Sequence, residues 1–445
     1  NGTISRVFRP VSAPVDSPSL AFDGVSRQAV SSIAEATDVR LSGFSRSAGR
    51  PPSLESYREY ILGVDAFTQH DQTDSFAHFK RAYELDTTFT AALLNASAAT
   101  LRSWAGSDSI TALLAGRRSS LSPFNQLWLS EFEAARKGDQ AGLFRITAEL
   151  ARQAPGSYFP FVHASVAISI DQPRAALNAL LNVDPGRGWM KNWFEYWYVR
   201  CAARHMLGDF EGELADSKIA EKQYPANFAV ITCKARALAS LGREKEVDEV
   251  FDRASAMVTH DTWEVGSPFA VVAAEAEYHG YPAIASKARK RIMDWLASQP
   301  ADKMSIEPDL FGPAWFYLMV GAWPELSQRA KYLLARQPER GSWLVYEGIA
   351  AAKLGDRVTA MHVDSLLQLL PRPEGEKVLG NMPLPVSLYH RAEIAASLGD
   401  KDRAIALLTG AFANRLRYSV YVHPNPAFAS VWRDPRFIRL MAPRD

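Results

Sequence analysis

The stretch AAKLGDRVTAMHV at 351–363 recurs in looser form as HMLGDFEGEL (205–214), ASLGREKEVDEV (239–250) and ASLGDKDRAIALL (396–408). Each copy sets a Leu-Gly pair and a polar residue between two apolar runs with the spacing of a helix face. Taking that punctuation as the turn between two helices, the chain offers ten markers: His70, Gly106, Gly138, Asp171, Gly208, Gly242, Gly280, Gly321, Gly355 and Gly399. Their successive separations are 36, 32, 33, 37, 34, 38, 41, 34 and 44 residues. A period near 34 belongs to stacked helical hairpins, which cannot bury their apolar faces singly and so build a continuous core in series.

The period makes a steric prediction. Two helices joined by a short turn come closest about seven residues before it and five after it, where only small side chains fit. Seven before the markers stand Gly63, Ala99, Glu131, Ala164, Cys201, Ala235, Ala273, Ala314, Gly348 and Ala392, of which only Glu131 is large. Five after stand Ser75, Ala176, Ala285, Ala360 and Ala404, with Thr111, Leu143, Glu213, Val247 and Leu326 as bulkier members. Proline at 155, 185, 225, 300 and 338 closes second helices, since it removes a backbone donor and turns the preceding residue away from helical geometry. The reading is an all-α array of about ten hairpins over residues 53–416. PRPEGEKVLGNMPLP (371–385) forms a long loop between hairpins.

These features resemble the tetratricopeptide repeat, which implies a right-handed superhelical solenoid. The stretches PPSLESYREYILGVDAF…HFKRAYELDTTFTAALL (51–94), SLSPFNQLWL (120–129) and DPRFIRLM (434–441) further resemble the C-terminal repeat region of bacterial multidomain regulators. In those proteins a Ser/Thr kinase or winged-helix domain precedes a TolB-type segment and then repeats. Residues 3–12 read as a strand and 19–38 as a helix, and the resemblance implies that residues 1–40 are the last elements of such a segment, expected either to dock loosely on the first repeat or to be mobile. Residues 41–52 read as a linker and 417–445 as an irregular segment with a capping helix. The opening NGTISRVFRP lacks an initiator Met, and we read the chain as a piece of a longer protein.

Chemistry-bearing motifs are missing. There is no phosphate loop, HExxH, GxSxG, dinucleotide fingerprint or kinase signature. Two cysteines without a Cys-x-x-Cys exclude zinc ribbons and disulfide frameworks, and nine scattered histidines give no metal pair at helical spacing. Lys plus Arg is 50 against 49 for Asp plus Glu, so no net field attracts nucleic acid. No apolar run reaches membrane-spanning length. Neither cofactor nor metal nor catalytic residue is expected.

What remains is the face lined by the first helix of each hairpin, at roughly three, six, ten and thirteen residues before the turn. Those offsets select Tyr57, Tyr60, Trp128, Phe132, Tyr158, Phe161, Glu195, Tyr198, His205, Arg236, Glu277, Trp315 and Tyr389. Aromatic rings with a few charges suit capture of a protein, a peptide or a small ligand. The aromatic run DPGRGWMKNWFEYWYVR (184–200) is expected to cover every face of one helix, and Arg200 and Arg204 to pair with Glu213 or Asp216. The reading is a non-catalytic interaction scaffold, the sensory or regulatory region of a bacterial signalling protein such as a Ser/Thr kinase. The alternatives are a helical-toroid enzyme of glycosidase type, with acids converging from neighbouring helices, and an envelope protein that binds glycan or lipid. The compartment stays open: cytoplasmic, or extracytoplasmic behind a membrane helix.

Overall fold

The computed structural model describes the chain apart from residues 1–9, 39, 41–51, 101–103, 258–264, 306, 308–311, 339–340, 370–381 and 383. The described residues form 23 α-helices and no strand. Helix α1 (Ser19–Thr37) precedes the array. The first five hairpins are α2 (Leu54–Thr68) with α3 (Gln72–Leu85), α4 (Thr90–Ala99) with α5 (Trp104–Ala115), α6 (Pro123–Arg136) with α7 (Gln140–Gln153), α8 (Phe159–Ser169) with α9 (Pro173–Leu180), and α10 (Glu195–Met206) with α11 (Phe210–Gln223). The next two are α12 (Phe228–Ser240) with α13 (Glu244–Ala256) and α14 (Gly266–His279) with α15 (Pro282–Ala297); a single turn, α16 (Ala301–Met304), follows. The last three are α17 (Pro313–Met319) with α18 (Trp323–Arg336), α19 (Gly341–Leu354) with α20 (Arg357–Gln368), and α21 (Leu384–Ser397) with α22 (Lys401–Ala413), before the closing helix α23 (Pro435–Met441).

The recurrent Gly-Asp dipeptide stops one helix and starts the next. Gly208, Gly355 and Gly399 sit at φ +72°, +87° and +82°, in the left-handed region that a residue with a Cβ enters only at a cost. The amide of each following Asp then donates back to a carbonyl of the first helix: Asp209 to Arg204, Asp356 to Ala351, Asp400 to Ala395. This satisfies carbonyls that the helix end would otherwise leave unpaired. The same Asp side chain accepts from the amide three residues on, at Gly212, Thr359 and Arg403, and so caps the second helix. Nine of the ten marker positions have positive φ, His70 and Asp171 among them. The exception is Gly106, which lies inside α5, a helix that already runs from Trp104; residues 101–103, just before that helix, lie outside the described residues.

The close-approach positions are packed as the period demands. A Cβ built on Gly63 would stand 2.6 Å from the Phe79 ring, and one on Gly348 2.7 Å from Val363 and 2.9 Å from Ile394. Ala164, Ala235, Ala314 and Ala392 are fully buried. Glu131 is buried at the one large position, and burial pushes its carboxyl up to about 8.

The chain divides into two compact units: Asn1–Ala167 with Ala175–Tyr196, and Ile168–Arg174 with Trp197–Asp445. In the first, α1 rests on the first hairpin through an Arg27–Glu55 ion pair at 3.6 Å, and Asp38 accepts from the Tyr57 hydroxyl at 2.8 Å. The expected N-terminal strand lies mostly outside the described residues; Pro10–Ser12 carry no regular structure. Most of the linker at 41–52 and of the loop at 371–385 also lies outside them.

The aromatic run at 184–200 corrects one expectation. It is not one helix: Gly188–Met190 form a 3₁₀ turn, Asn192 sits at φ +66°, and α10 begins only at Glu195. Two glycines and a left-handed Asn break the helix, and Trp189 and Trp193 leave its axis to pack within the first unit. Trp189 meets Tyr60 and Tyr158 at ring separations of 6.3 and 4.8 Å, and Trp193 meets Phe67 and Phe161 at 5.6 and 4.5 Å.

Candidate functional site: the first-helix face of the second unit

In the second unit, residues 418–433 run across the first helices of successive hairpins. The Tyr418 amide donates to Ser169 O at the end of α8 at 3.0 Å. The Tyr421 ring packs edge-on to Trp315 of α17 at 5.6 Å. His423 reaches His205 of α10 and Glu275 of α14. The Asn425 amide donates to the Tyr389 hydroxyl and to Glu393 of α21 at 3.1 and 2.6 Å. Ala427 packs with Ile349 of α19 and Ile394 of α21. The Trp432 ring stands edge-on to Tyr278, and Arg433 donates to the Tyr278 carbonyl. This strap is an irregular run of turns with a 3₁₀ turn at Pro426–Phe428, seated on the face that the sequence offsets select.

Beside it lies a cavity of about 300 Å³ lined by Trp315, Tyr346, Tyr389, His390, Glu393 and Arg417, among others. A second, of about 200 Å³, is lined by His205, Phe210, Tyr278, His279, Tyr418 and His423, among others.

Under the strap is a buried charged centre. Arg236 is wholly buried and donates through Nε to Glu213 Oε1 at 2.8 Å. Glu213, also wholly buried, accepts at Oε2 from His205 Nδ1 at 2.8 Å. The other nitrogen, His205 Nε2, lies 3.2 Å from Glu275 Oε1 and 3.3 Å from His423 Nε2. His423 Nε2 is 3.2 Å from Glu275 Oε2, and His279 Nε2 is 3.5 Å from the same oxygen. Burial opposes the charge on His205, but Glu275 and Glu213 outweigh it and push the imidazole up to about 9. Burial likewise opposes ionisation of Glu275, yet His205 and His423 hold its carboxyl well below the usual range. His423 goes the other way: burial lowers it despite Glu275.

The residues selected from sequence fall in two places. In the first unit, Tyr60, Trp128, Phe132 and Tyr158 are buried. Phe161 is half-buried against Trp193, Tyr57 hydrogen-bonds Asp38, and Glu195 pairs with His70 at 2.8 Å. In the second unit, Tyr198, His205, Trp315 and Tyr389 all meet the strap, Tyr198 through a hydrogen bond with Tyr421. Arg236 lies beneath it, and Glu277 is exposed. Asp216 binds both Arg200 and Arg204, while Glu213 is taken by Arg236 and His205.

Sequence reasoning misses Glu213, Glu275 and His423 as one centre. Glu213 carries a signal, being a carboxylate where hairpins admit small residues. His423 carries none, since 218 residues separate it from His205.

No protein-family model matches the chain, and no curated protein does. Among solved structures that match is a tetratricopeptide repeat protein from Parabacteroides merdae ATCC 43184, at 12% identity, covering 69% of this chain and 98% of that one, with a TM-score of 0.31. The assignment to helical-hairpin proteins rests on this chain's own turns and close-packed helix pairs.

Proposed function

We propose that the chain is a non-catalytic interaction scaffold whose second unit binds a peptide on its first-helix face. The observation that carries this reading is the strap: side chains of α10, α14, α17 and α21 already hold the irregular polypeptide of residues 418–433 there. A partner peptide would occupy the adjoining cavity around Trp315 and His390, where aromatic faces and the Glu393 carboxylate supply stacking and charge. The resemblance of the repeats to those of bacterial multidomain regulators supports a place beside a signalling domain such as a Ser/Thr kinase.

The test is selection of a displayed random-peptide library against the intact chain, followed by affinity measurement on wild type and Trp315→Ala. Enriched peptides that lose about tenfold or more in affinity support the reading, as expected of an aromatic hot spot. No enrichment, or peptides indifferent to Trp315, overturn it.

A further inference from the structure

We propose that His205, His423 and Glu275 form a binding site for a divalent first-row transition ion of the zinc type, with one coordination position open to the neighbouring cavity.

Geometry carries this. His205 Nε2 and His423 Nε2 stand 3.3 Å apart, and each lies 3.2 Å from a different oxygen of the Glu275 carboxylate, so one donor atom from each residue falls within 4.8 Å of the others. Ligands bound at ~2.0–2.1 Å in tetrahedral directions stand about 3.3–3.4 Å from one another, which is close to the spacing of the two imidazole nitrogens and of each from the carboxylate. Two imidazoles and a carboxylate on one side of an ion are a donor set that such metals favour.

The three groups are held together by shared protons, which a bound ion would displace. His423 Nε2 faces both His205 Nε2 and Glu275 Oε2, and one nitrogen cannot accept from the first and donate to the second. Glu275 Oε1 is buried, with His205 Nε2 its ion-pair partner 3.2 Å away. Behind this cluster, His205 Nδ1 donates to Glu213, which Arg236 holds in turn. That relay orients a ligating imidazole and raises its basicity toward the metal. In front, both imidazoles line the cavity of about 200 Å³, which has room for a water or a small donor ligand on the free position.

The ligands come from α10, α14 and the strap, so a bound ion would also fasten the strap to the helices. This inference is independent of whether a peptide binds beside Trp315.

The probe is cobalt(II) alone, titrated into chelator-treated intact chain. One equivalent with the intense visible absorption of four- or five-coordinate cobalt is expected. His423→Gln should weaken binding by about 100-fold or more, and Glu213→Gln, which only orients His205, by about 10–100-fold. His163→Gln, elsewhere in the chain, should leave it unchanged. No stoichiometric binding, a weak six-coordinate spectrum, or an equivalent that survives His423→Gln overturns the proposal. Should His423→Gln fail to fold, X-ray absorption of the zinc-loaded wild type decides. Two imidazoles and oxygen support the site; sulfur ligation or fewer imidazoles reject it.

Discussion

Gly348 and Glu131 occupy equivalent positions in their hairpins, seven residues before the turn, and show what the position tolerates. At Gly348 the partner helix is so close that a Cβ would collide with Val363. Gly348→Leu should therefore cost about 1–3 kcal/mol or more by the measure of overpacked cores, seen as a lowered melting temperature. Arg357→Ala, on an exposed site nine residues away, should leave melting unchanged. Equal melting curves would disprove the packing. Glu131 answers the same constraint with a neutral carboxyl. Its folded value of about 8 lies above the unfolded 4.5, so between those limits the unfolded state releases a proton that the folded state keeps. The contribution is full below 4.5, declines by about 1.4 kcal/mol per pH unit, and is gone above 8. Urea midpoints across that range should drift apart for wild type and Glu131→Gln, the variant gaining as pH rises. A constant gap would place the titration elsewhere. The Glu213 carboxylate is different in kind, because two buried cations share it. Removing it by Glu213→Ala should cost about 3–5 kcal/mol, as for other buried pairs left half-made.

At the level of the element, the Gly-Asp turn is a stop and a start written in two adjacent letters. A Cβ placed on Gly208 would meet no atom within 4 Å, so Gly208→Ala isolates backbone strain: about 1–2 kcal/mol with no steric contribution. Asn227 caps α12 by accepting from the Val230 amide at 3.1 Å, and Asn227→Ala should cost about 1 kcal/mol. Denaturant titration of the two variants reads both values. This scale is the most legible in the sequence, because turn chemistry and close packing are local and repeat from hairpin to hairpin. Gly106 misleads for the complementary reason. The stretch just before α5 carries no Gly, and a Gly in the first turn of a helix looks the same on paper as one in the turn before it. The aromatic run at 189–198 misleads likewise: side-chain pattern suggests a helix, while Gly188 and Asn192 govern the backbone.

Across the whole second unit, the face is readable and its occupant is not. Offsets from the turns locate Tyr198, His205, Trp315 and Tyr389, while the offset that finds His205 also selects the exposed Glu277 of α14. Nothing periodic announces that residues 418–433 return across them. A chain ended after Arg415 should lose amide hydrogen-exchange protection in α10, α14, α17 and α21, where the strap is anchored. Unchanged protection there would make the strap a passenger.

The strap also sets a timetable. Hairpins are local structures that assemble while a chain is still being made, at about 5–20 residues per second. His423 is translated after all the hairpins, and its partner His205 has waited through 218 residues of synthesis. Over that interval, roughly ten to forty seconds at those rates, the helices of the second unit are added one after another with the strap not yet made. A nascent chain thus passes through a stage in which the surface is open to chaperones, ions and neighbouring chains, and its closure marks maturity.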